Sequence, residues 1–233
     1  MVEVFGVLLG AGMVGYAGCG IKSTLSEMYR KRIEDVETDE YQLKLGWQYF
    51  GGYHKPIIAD MRMTPHMLVC GLSQNGKSKA VEYAMRGKNC VLLNTFKKDF
   101  TSINAPTYRE LEEMEEYLLT VYNNKKNEEP LFIVIDEILA LIKSGNGKKV
   151  SDAITKILAV GAHKSIYIIG ITQCAEKDVI SYKHLFNTRV CFKMGDDSAY
   201  RVVLGTTPEN IYLQKREFYY VTDNLGKGYT YDI

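Results

Sequence analysis

The segment "HMLVCGLSQNGKSKA", residues 66–80, constrains the fold of this chain more than any other. Gly71, Gly76, Lys77 and Ser78 have the spacing G-x-x-x-x-G-K-S, in which backbone N–H groups of a loop bind nucleotide phosphates. The apolar run before the loop predicts a buried strand, and "GKSKAVEYAMR" predicts the helix that follows it. An ordinary glycine turn is the alternative. The position of the motif between a predicted strand and a predicted helix favours the phosphate-binding loop.

Further apolar runs predict the remaining strands of the sheet. They are "NCVLLN", "LFIVI", "IYIIGI" and "RVCFKM", and they are continuous rather than alternating, as strands covered on both faces require. Helices are predicted around "YRELEEMEEYLLTVY" and "SDAITKILAVGA". Strands and helices that alternate along a chain predict an α/β fold with a mainly parallel β-sheet flanked by helices.

The phosphate-binding loop supplies the predicted nucleotide ligands. Lys77 is expected to reach the β and γ oxygens of ATP, and Ser78 to ligate Mg2+. Gln74 stands where many such loops carry another glycine, but the fixed glycines keep the loop geometry possible. The residues expected to contact the nucleotide are Gly71, Leu72, Ser73, Gln74, Asn75, Gly76, Lys77, Ser78 and Lys79.

Two further strands end in polar residues. "LFIVIDE", residues 131–137, places Asp136 at the carboxyl edge of the sheet as a magnesium ligand, with Glu137 placed to orient or deprotonate the attacking water. Two acids at a helix start are the alternative. "IYIIGITQ", residues 166–173, ends in Thr172 and Gln173, which can contact the γ-phosphate or the water, or can simply cap the strand.

The N-terminal run "VFGVLLGAGMVGYAGCGI", residues 4–21, is uncharged and long enough to span a bilayer. Cations follow it, so the rest of the chain is expected on the cytoplasmic side. We therefore predict a transmembrane helix in 1–21, a linker with a helix in 22–54, and an ATPase domain in 55–233. A buried or interfacial helix and a processed leader remain alternatives, as does a cytoplasmic location.

The net charge of +1 comes from 29 basic and 28 acidic residues, so no global basic field attracts nucleic acid. Any DNA contact must be local or built by assembly. The five cysteines are odd in number and lack C-x-x-C spacing, which favours buried thiols over disulfides or a zinc site.

Ordered blocks of the sequence resemble the FtsK/SpoIIIE motor domain of the FtsK/HerA superfamily. They are "KPIIADMRMTPHMLVCGLSQNGKS", "PLFIVIDEILALI", "ITKILAVGAHKSIYIIGITQ" and "DVISYKHLFNTRVCFKMGDDSAYRVVLG", within residues 55–233. The resemblance implies a RecA-like P-loop ATPase that forms a ring, usually a hexamer, and moves double-stranded DNA. Cys174 and Ala175 depart from it, because the family commonly has Arg-Pro there. With no winged-helix module after Ile233, a compact relative from a conjugative element, plasmid or virus is expected.

The assembly contacts are predicted on the same resemblance. "KSGNGKKV", residues 143–150, is expected to be a loop whose Lys143, Lys148 and Lys149 line a DNA pore, or else a solvated loop. Arg189 and Arg201 are candidate arginine fingers, or surface residues in salt bridges.

The function expected is DNA translocation in conjugative transfer or another mobile-element process, with relaxase or capsid proteins as partners. The alternatives are a viral genome-packaging ATPase, a filamentous-phage morphogenesis or secretion ATPase, and a nucleotide-dependent switch.

Overall fold

The computed structural model describes residues 36–50, 53–96, 98–123, 127–143, 147–173 and 182–231. The strands are β1 (Gln42–Phe50), β2 (Tyr53–Asp60), β3 (Met67–Cys70), β4 (Cys90–Leu93), β5 (Thr107–Tyr108), β6 (Leu131–Asp136), β7 (Ile166–Thr172), β8 (Thr188–Cys191), β9 (Glu217–Val221) and β10 (Leu225–Tyr229). The helices are α1 (Lys77–Ala84), α2 (Leu111–Val121), α3 (Ile138–Ile142), α4 (Gly147–Val160) and α5 (Asp197–Leu204). Short 3₁₀ turns follow at Gly161–Lys164 and Lys183–Leu185.

The described strands form one 10-stranded sheet in the order β2-β1-β10-β9-β8-β3-β7-β6-β4-β5. From β8 to β5 neighbouring strands are parallel. Cys70 at the end of β3 pairs with Thr172 of β7, and Asp136 at the end of β6 pairs with Ile171. Because parallel strands end at the same edge, β7 brings the segments that follow β3 and β6 to opposite sides of one strand.

The other end of the sheet is antiparallel, through β9, β10, β1 and β2. The predicted mainly parallel sheet is confirmed in the strands from β8 to β5, and the antiparallel strands extend it on one side. β1 lies inside residues 22–54, which were predicted to be a linker, so the sheet begins before residue 55. The signal was present in the sequence, because the apolar residues Leu43, Leu45 and Trp47 stand at every second position, as in a strand with one covered face.

Both faces of the central sheet are covered, which explains the continuous apolar runs. Leu68 and Cys70 of β3 belong to the cluster formed with α2, α4 and α5. Met67 and Val69 point to the other face and belong to the cluster that includes Val81 of α1. The predicted buried thiols are confirmed for the cysteines that the structure describes, Cys70, Cys90 and Cys191.

The predicted lysine loop of residues 143–150 is partly helical. Lys148 and Lys149 are exposed in the first turn of α4, because Val150 and Ile154 continue the buried stripe of that helix toward its N-terminus. Residues 144–146 lie outside the described part of the chain.

The predicted transmembrane helix of residues 1–21 and the first part of the linker also lie outside the described residues. Among those that are described, no helix is long and apolar enough to cross a bilayer.

Candidate nucleotide site

The loop between β3 and α1 has the backbone that its glycines require. Gly71 has a φ of +148°, and a Cβ atom there would lie 2.6 Å from the Cβ of Phe192. Gly76 has a φ of +102° and precedes the first residue of α1. Both values are costly for residues with a side chain, so the fixed glycines allow the loop to turn at the helix N-terminus.

Gln74 is the strained residue of the loop. Its φ is +62°, in the left-handed region where a side chain costs about 1–2 kcal/mol. Gln74 therefore adopts the left-handed conformation that a glycine at this position would adopt more easily, and the loop keeps its shape at the cost of backbone strain. Strained backbone of this kind persists where the surrounding structure holds it.

Lys77 is buried at the start of α1 and lies over the loop. Its Nζ donates hydrogen bonds to the carbonyl oxygens of Gly71 (2.7 Å) and Leu72 (2.9 Å). Burial lowers the pKa of Lys77, while the nearby carboxylates of Glu137 and Asp136 oppose that shift. Phosphate oxygens would be stronger acceptors than these carbonyls, because a hydrogen bond between charged groups is the stronger kind.

Asp136 ends β6 at the edge of the sheet and faces Lys77 across the cleft. Burial, with the charges of Asp99 and Glu137, raises the pKa of Asp136 to about 6, and the charge of Lys77 works against that rise. A nearby cation stabilises the charged form of a carboxylate whose pKa is raised by burial and by other acids.

The oxygen donors Asp136 and Ser78 both line the cleft and suit Mg2+. No group of three or more histidine, cysteine or acidic residues in the described chain could hold a metal ion alone.

Glu137 follows Asp136 with a φ of +64°, another left-handed value on a residue with a side chain. Its Oε1 accepts a hydrogen bond from the buried Thr172 Oγ1 at 3.1 Å. One residue further along the chain, the Oε1 of Gln173 accepts a hydrogen bond of 2.6 Å from Ser73 Oγ in the phosphate loop. The end of β7 is thus bonded both to the residue after β6 and to the loop after β3.

These residues line one cleft of about 600 Å³. The predicted site residues in its wall are Ser73, Gln74, Gly76, Lys77, Ser78, Lys79, Asp136, Glu137 and Gln173. Gly71 and Leu72 contribute the carbonyls that hold Lys77, and Asn75 braces the loop by donating from Nδ2 to the carbonyls of Leu72 and Ser73.

Sequence reasoning missed part of the wall: Phe96, Asp99, Lys215, Arg216, Thr230 and Tyr231. Phe96 and Asp99 come from the segment after β4, and the others come from just before β9 and just after β10. The basic pair before the apolar run "EFYYV" was the available signal for Lys215 and Arg216.

The two candidate arginine fingers lie away from this wall. Arg189 is partly buried in β8 and donates from Nη1 to the carbonyl of Val203, near the C-terminus of α5. Arg201 is exposed on α5 and donates from Nε to Thr207 Oγ1 at 3.3 Å. Neither arginine is among the residues that line the cleft of its own chain.

Comparison with known proteins supports the predicted resemblance. The chain is similar to DNA translocase FtsK of Helicobacter pylori (strain ATCC 700392 / 26695), with 24% identity over an alignment 226 residues long. The alignment covers 78% of this chain. The match spans only 26% of that translocase. No family model matches the chain.

Solved structures share the fold. The conjugation coupling protein TcpA of pCW3, solved with ATPγS, has a TM-score of 0.71 at 17% identity, over 85% of this chain and 68% of that one. The cytoplasmic domain of the Type VII secretion ATPase EccC of Thermomonospora curvata has a TM-score of 0.64 at 16% identity, over 84% and 29%. The genome packaging NTPase B204 of Sulfolobus turreted icosahedral virus 2, solved with ATPγS, has a TM-score of 0.56 at 15% identity, over 72% and 98%. The predicted resemblance to FtsK is therefore confirmed in sequence, and the fold is shared with these structures, of which EccC is named an ATPase and B204 an NTPase.

Proposed function

We propose that this chain is the motor domain of an ATP-hydrolysing translocase of double-stranded DNA. The observation that carries the proposal is the convergence of Lys77, Asp136 and Glu137 on one cleft, with Gln173 at the end of the strand between them. A phosphate loop, a metal-binding acid and a second acid for the attacking water are the parts that nucleotide hydrolysis requires. The sequence similarity to DNA translocase FtsK supports DNA movement as the work driven by that hydrolysis.

The residues of the cleft divide the chemistry among them. Lys77 and the loop amides bind the phosphate oxygens and offset their charge. Mg2+, held by Ser78 and Asp136, would neutralise charge that develops on the β and γ oxygens. Glu137 orients the attacking water and accepts its proton, with Thr172 holding the carboxylate in place. Gln173 accepts a hydrogen bond from Ser73 of the phosphate loop and lines the same cleft as Asp136 and Glu137, so it can respond to the γ-phosphate.

The motor is expected to work as a homo-oligomeric ring, which we take to be a hexamer. Arg201 is the better of the two finger candidates because it is exposed, so that a neighbouring subunit could meet it. Arg189 is partly buried, and its Nη1 already bonds to the end of α5, which suits a role in holding that helix. The exposed Lys143, Lys148 and Lys149 remain the proposed DNA contacts.

Mixed rings test this function. Arg201→Ala protein keeps an intact site in its own chain, and Glu137→Gln protein keeps an intact arginine. We expect each variant alone to be nearly inactive and their mixture to recover DNA-stimulated hydrolysis. Lys77→Ala mixed with Glu137→Gln is the matched control, since both lack a working site of their own and no recovery is expected. Hydrolysis that is unaffected by DNA, by protein concentration and by Arg201→Ala would contradict the proposal.

The biological process is proposed to be conjugative transfer or another mobile-element process, supported by the fold shared with TcpA. Genome packaging is the second candidate, because the match covers 98% of B204. Secretion is a third, on the likeness to EccC. Stimulation of ATP hydrolysis by long double-stranded DNA separates the first two from secretion, and relaxase or capsid genes beside this one separate the first from the second.

We also propose that residues 4–21 anchor the chain in the cell membrane, with the ATPase domain in the cytoplasm. The support is the uncharged run itself. An inserted helix should keep the protein in the membrane fraction after a high-salt or carbonate wash. Release by either wash would contradict the anchor and leave the ATPase proposal standing.

A further inference from the structure

The cleft has two ends, and the sheet order tells them apart. Asp136 and Glu137 follow β6, and Gln173 follows β7, on one side of the phosphate loop. Beyond β8, on the other side, the wall is formed by Arg216, just before β9, and Tyr231, just after β10. Since the γ-phosphate must face the residues that act on it, the rest of the nucleotide extends toward the β9–β10 end.

That end of the cleft is a rigid aromatic wall. The ring of Tyr231 stacks on the ring of Tyr83 in α1, with centroids 4.2 Å apart and planes 21° apart. Tyr231 also belongs to a small cluster with Trp47 and Tyr229, whose own rings stack at 4.6 Å. This packing leaves Tyr231 7% exposed, and the exposed part lines the cleft, so a base can meet a ring that loses no side-chain entropy on binding.

Arg216 joins this wall to the phosphate loop. Its backbone N–H donates to the carbonyl of Asn75 at 3.3 Å, and its own carbonyl accepts from the N–H of Thr230 at 3.0 Å. Its φ is +73°, so these bonds hold a strained residue at the junction. Its side chain lines the cleft. The backbone of Arg216 therefore links the phosphate loop, at Asn75, to the strand end that carries Tyr231, at Thr230.

We infer that Tyr231 binds the base of the nucleotide and that Arg216 binds its α-phosphate. This inference rests on the proposed function, because it assigns the nucleoside end of the same cleft. A second aromatic residue, Phe96, lines the cleft and is 54% exposed. It follows β4, beyond β6, and therefore lies at the γ-phosphate end, where a base is not expected.

The test compares ligands with and without a nucleoside, on the full chain. Calorimetry with Mg2+ gives dissociation constants for AMP-PNP and for inorganic tripolyphosphate. Tyr231→Ala should weaken the affinity for AMP-PNP about tenfold, which is the usual effect of losing a base stack. Its affinity for tripolyphosphate should change less than twofold. Tyr231→Phe should keep both. Arg216→Gln should weaken both ligands, since the third phosphate of tripolyphosphate occupies the α position.

Phe96→Ala tests the other end of the cleft, and Tyr212→Ala, at an exposed tyrosine outside the cleft wall, is the matched control that should change neither constant. Selective loss of AMP-PNP binding in Phe96→Ala, or loss of both ligands to the same degree in Tyr231→Ala, would overturn the inference alone. Failure of the unmodified chain to bind either ligand would overturn the proposed function as well.

Photolabelling of the unmodified chain with 8-azido-ATP needs no variant. Labels between residues 216 and 231 support the assignment, and labels between residues 94 and 99 overturn it.

Discussion

Thr172 Oγ1 donates a hydrogen bond to Glu137 Oε1 across 3.1 Å, which joins the end of β7 to the residue after β6. Thr172 is fully buried, and Glu137 has a left-handed backbone with a φ of +64°. The hydrogen bond therefore fixes the direction of the Glu137 side chain, and the left-handed backbone of Glu137 restricts it further. A general base gains from such fixing, because proton transfer depends on the position of its acceptor.

Thr172→Val keeps the shape of the side chain and removes the donor. We expect kcat to fall about tenfold or more, because Glu137 loses the group that orients it, while nucleotide affinity stays within about twofold. Thr172→Ser retains the hydroxyl and should stay near the unmodified rate. Steady-state hydrolysis and nucleotide titration measure both quantities. Equal rates for the valine and serine variants would remove the positioning role of Thr172.

Lys77→Ala and Glu137→Gln should fail in different ways. The first removes the cation that reaches the phosphates, so nucleotide binding and hydrolysis should both be lost. The second retains the phosphate contacts and should bind ATP while turnover falls about 10²- to 10⁴-fold. Filter binding beside a phosphate-release assay separates the two. Substantial turnover by purified Glu137→Gln protein would exclude Glu137 as the base.

Gln74 offers a test of strain in the phosphate loop. Gln74→Gly relieves the left-handed strain but gains freedom in the unfolded chain, so the unfolding free energy should change by less than about 1 kcal/mol. Gln74→Val places a β-branched residue at the same φ and should cost about 2 kcal/mol and weaken nucleotide binding. Urea unfolding measures the first effect. Equal stability and affinity in the glycine and valine variants would show that this conformation does not persist in solution.

His66 predicts a pH dependence of stability. It is buried, its Nδ1 accepts the N–H of Ile168 at 3.0 Å, and burial lowers its pKa from 6.5 to about 4. The unfolded chain takes up this proton near pH 6.5 and the folded chain only near pH 4. Stability should therefore fall as the pH drops through that window, by about 3 kcal/mol at most.

His66→Asn keeps an acceptor, tolerates the left-handed φ of this position and does not titrate. It should flatten the fall in unfolding free energy between pH 6.5 and pH 4, measured by urea titration at each pH. The exposed His163→Asn is the control and should keep the slope of the unmodified chain. The same slope in His66→Asn would assign the dependence to other groups.

The phosphate loop and the acids after β6 could be predicted because each lies in one short segment. Lys77 closely follows β3 and Asp136 ends β6, so the strand that positions each residue lies next to it in the sequence. The basic residue Arg216 is visible before the apolar run "EFYYV", but nothing local places Arg216 or Tyr231 at the cleft. They reach the cleft only because β9 and β10 pair antiparallel beyond β8, and no local motif records that pairing.

For Lys148 and Lys149 the local sequence predicted the wrong secondary structure. Their glycine-rich surroundings predicted a loop, yet the buried stripe of α4 begins at Gly147 and Val150 and carries both lysines into the helix. Arg189 was a finger candidate by its position in the chain. Its partial burial, together with its bond to Val203, became visible only when β8 and α5 were placed side by side.

The most direct test of the account is the displacement of a triplex-forming oligonucleotide from long double-stranded DNA. A translocase removes the third strand as it moves along the duplex, so the unmodified chain should displace it with ATP and not with AMP-PNP. Glu137→Gln protein should bind ATP and displace nothing, which separates movement from binding. ATP hydrolysis by the unmodified chain with no displacement, and with the same rate in the presence and absence of DNA, would contradict the claim that this cleft drives DNA movement.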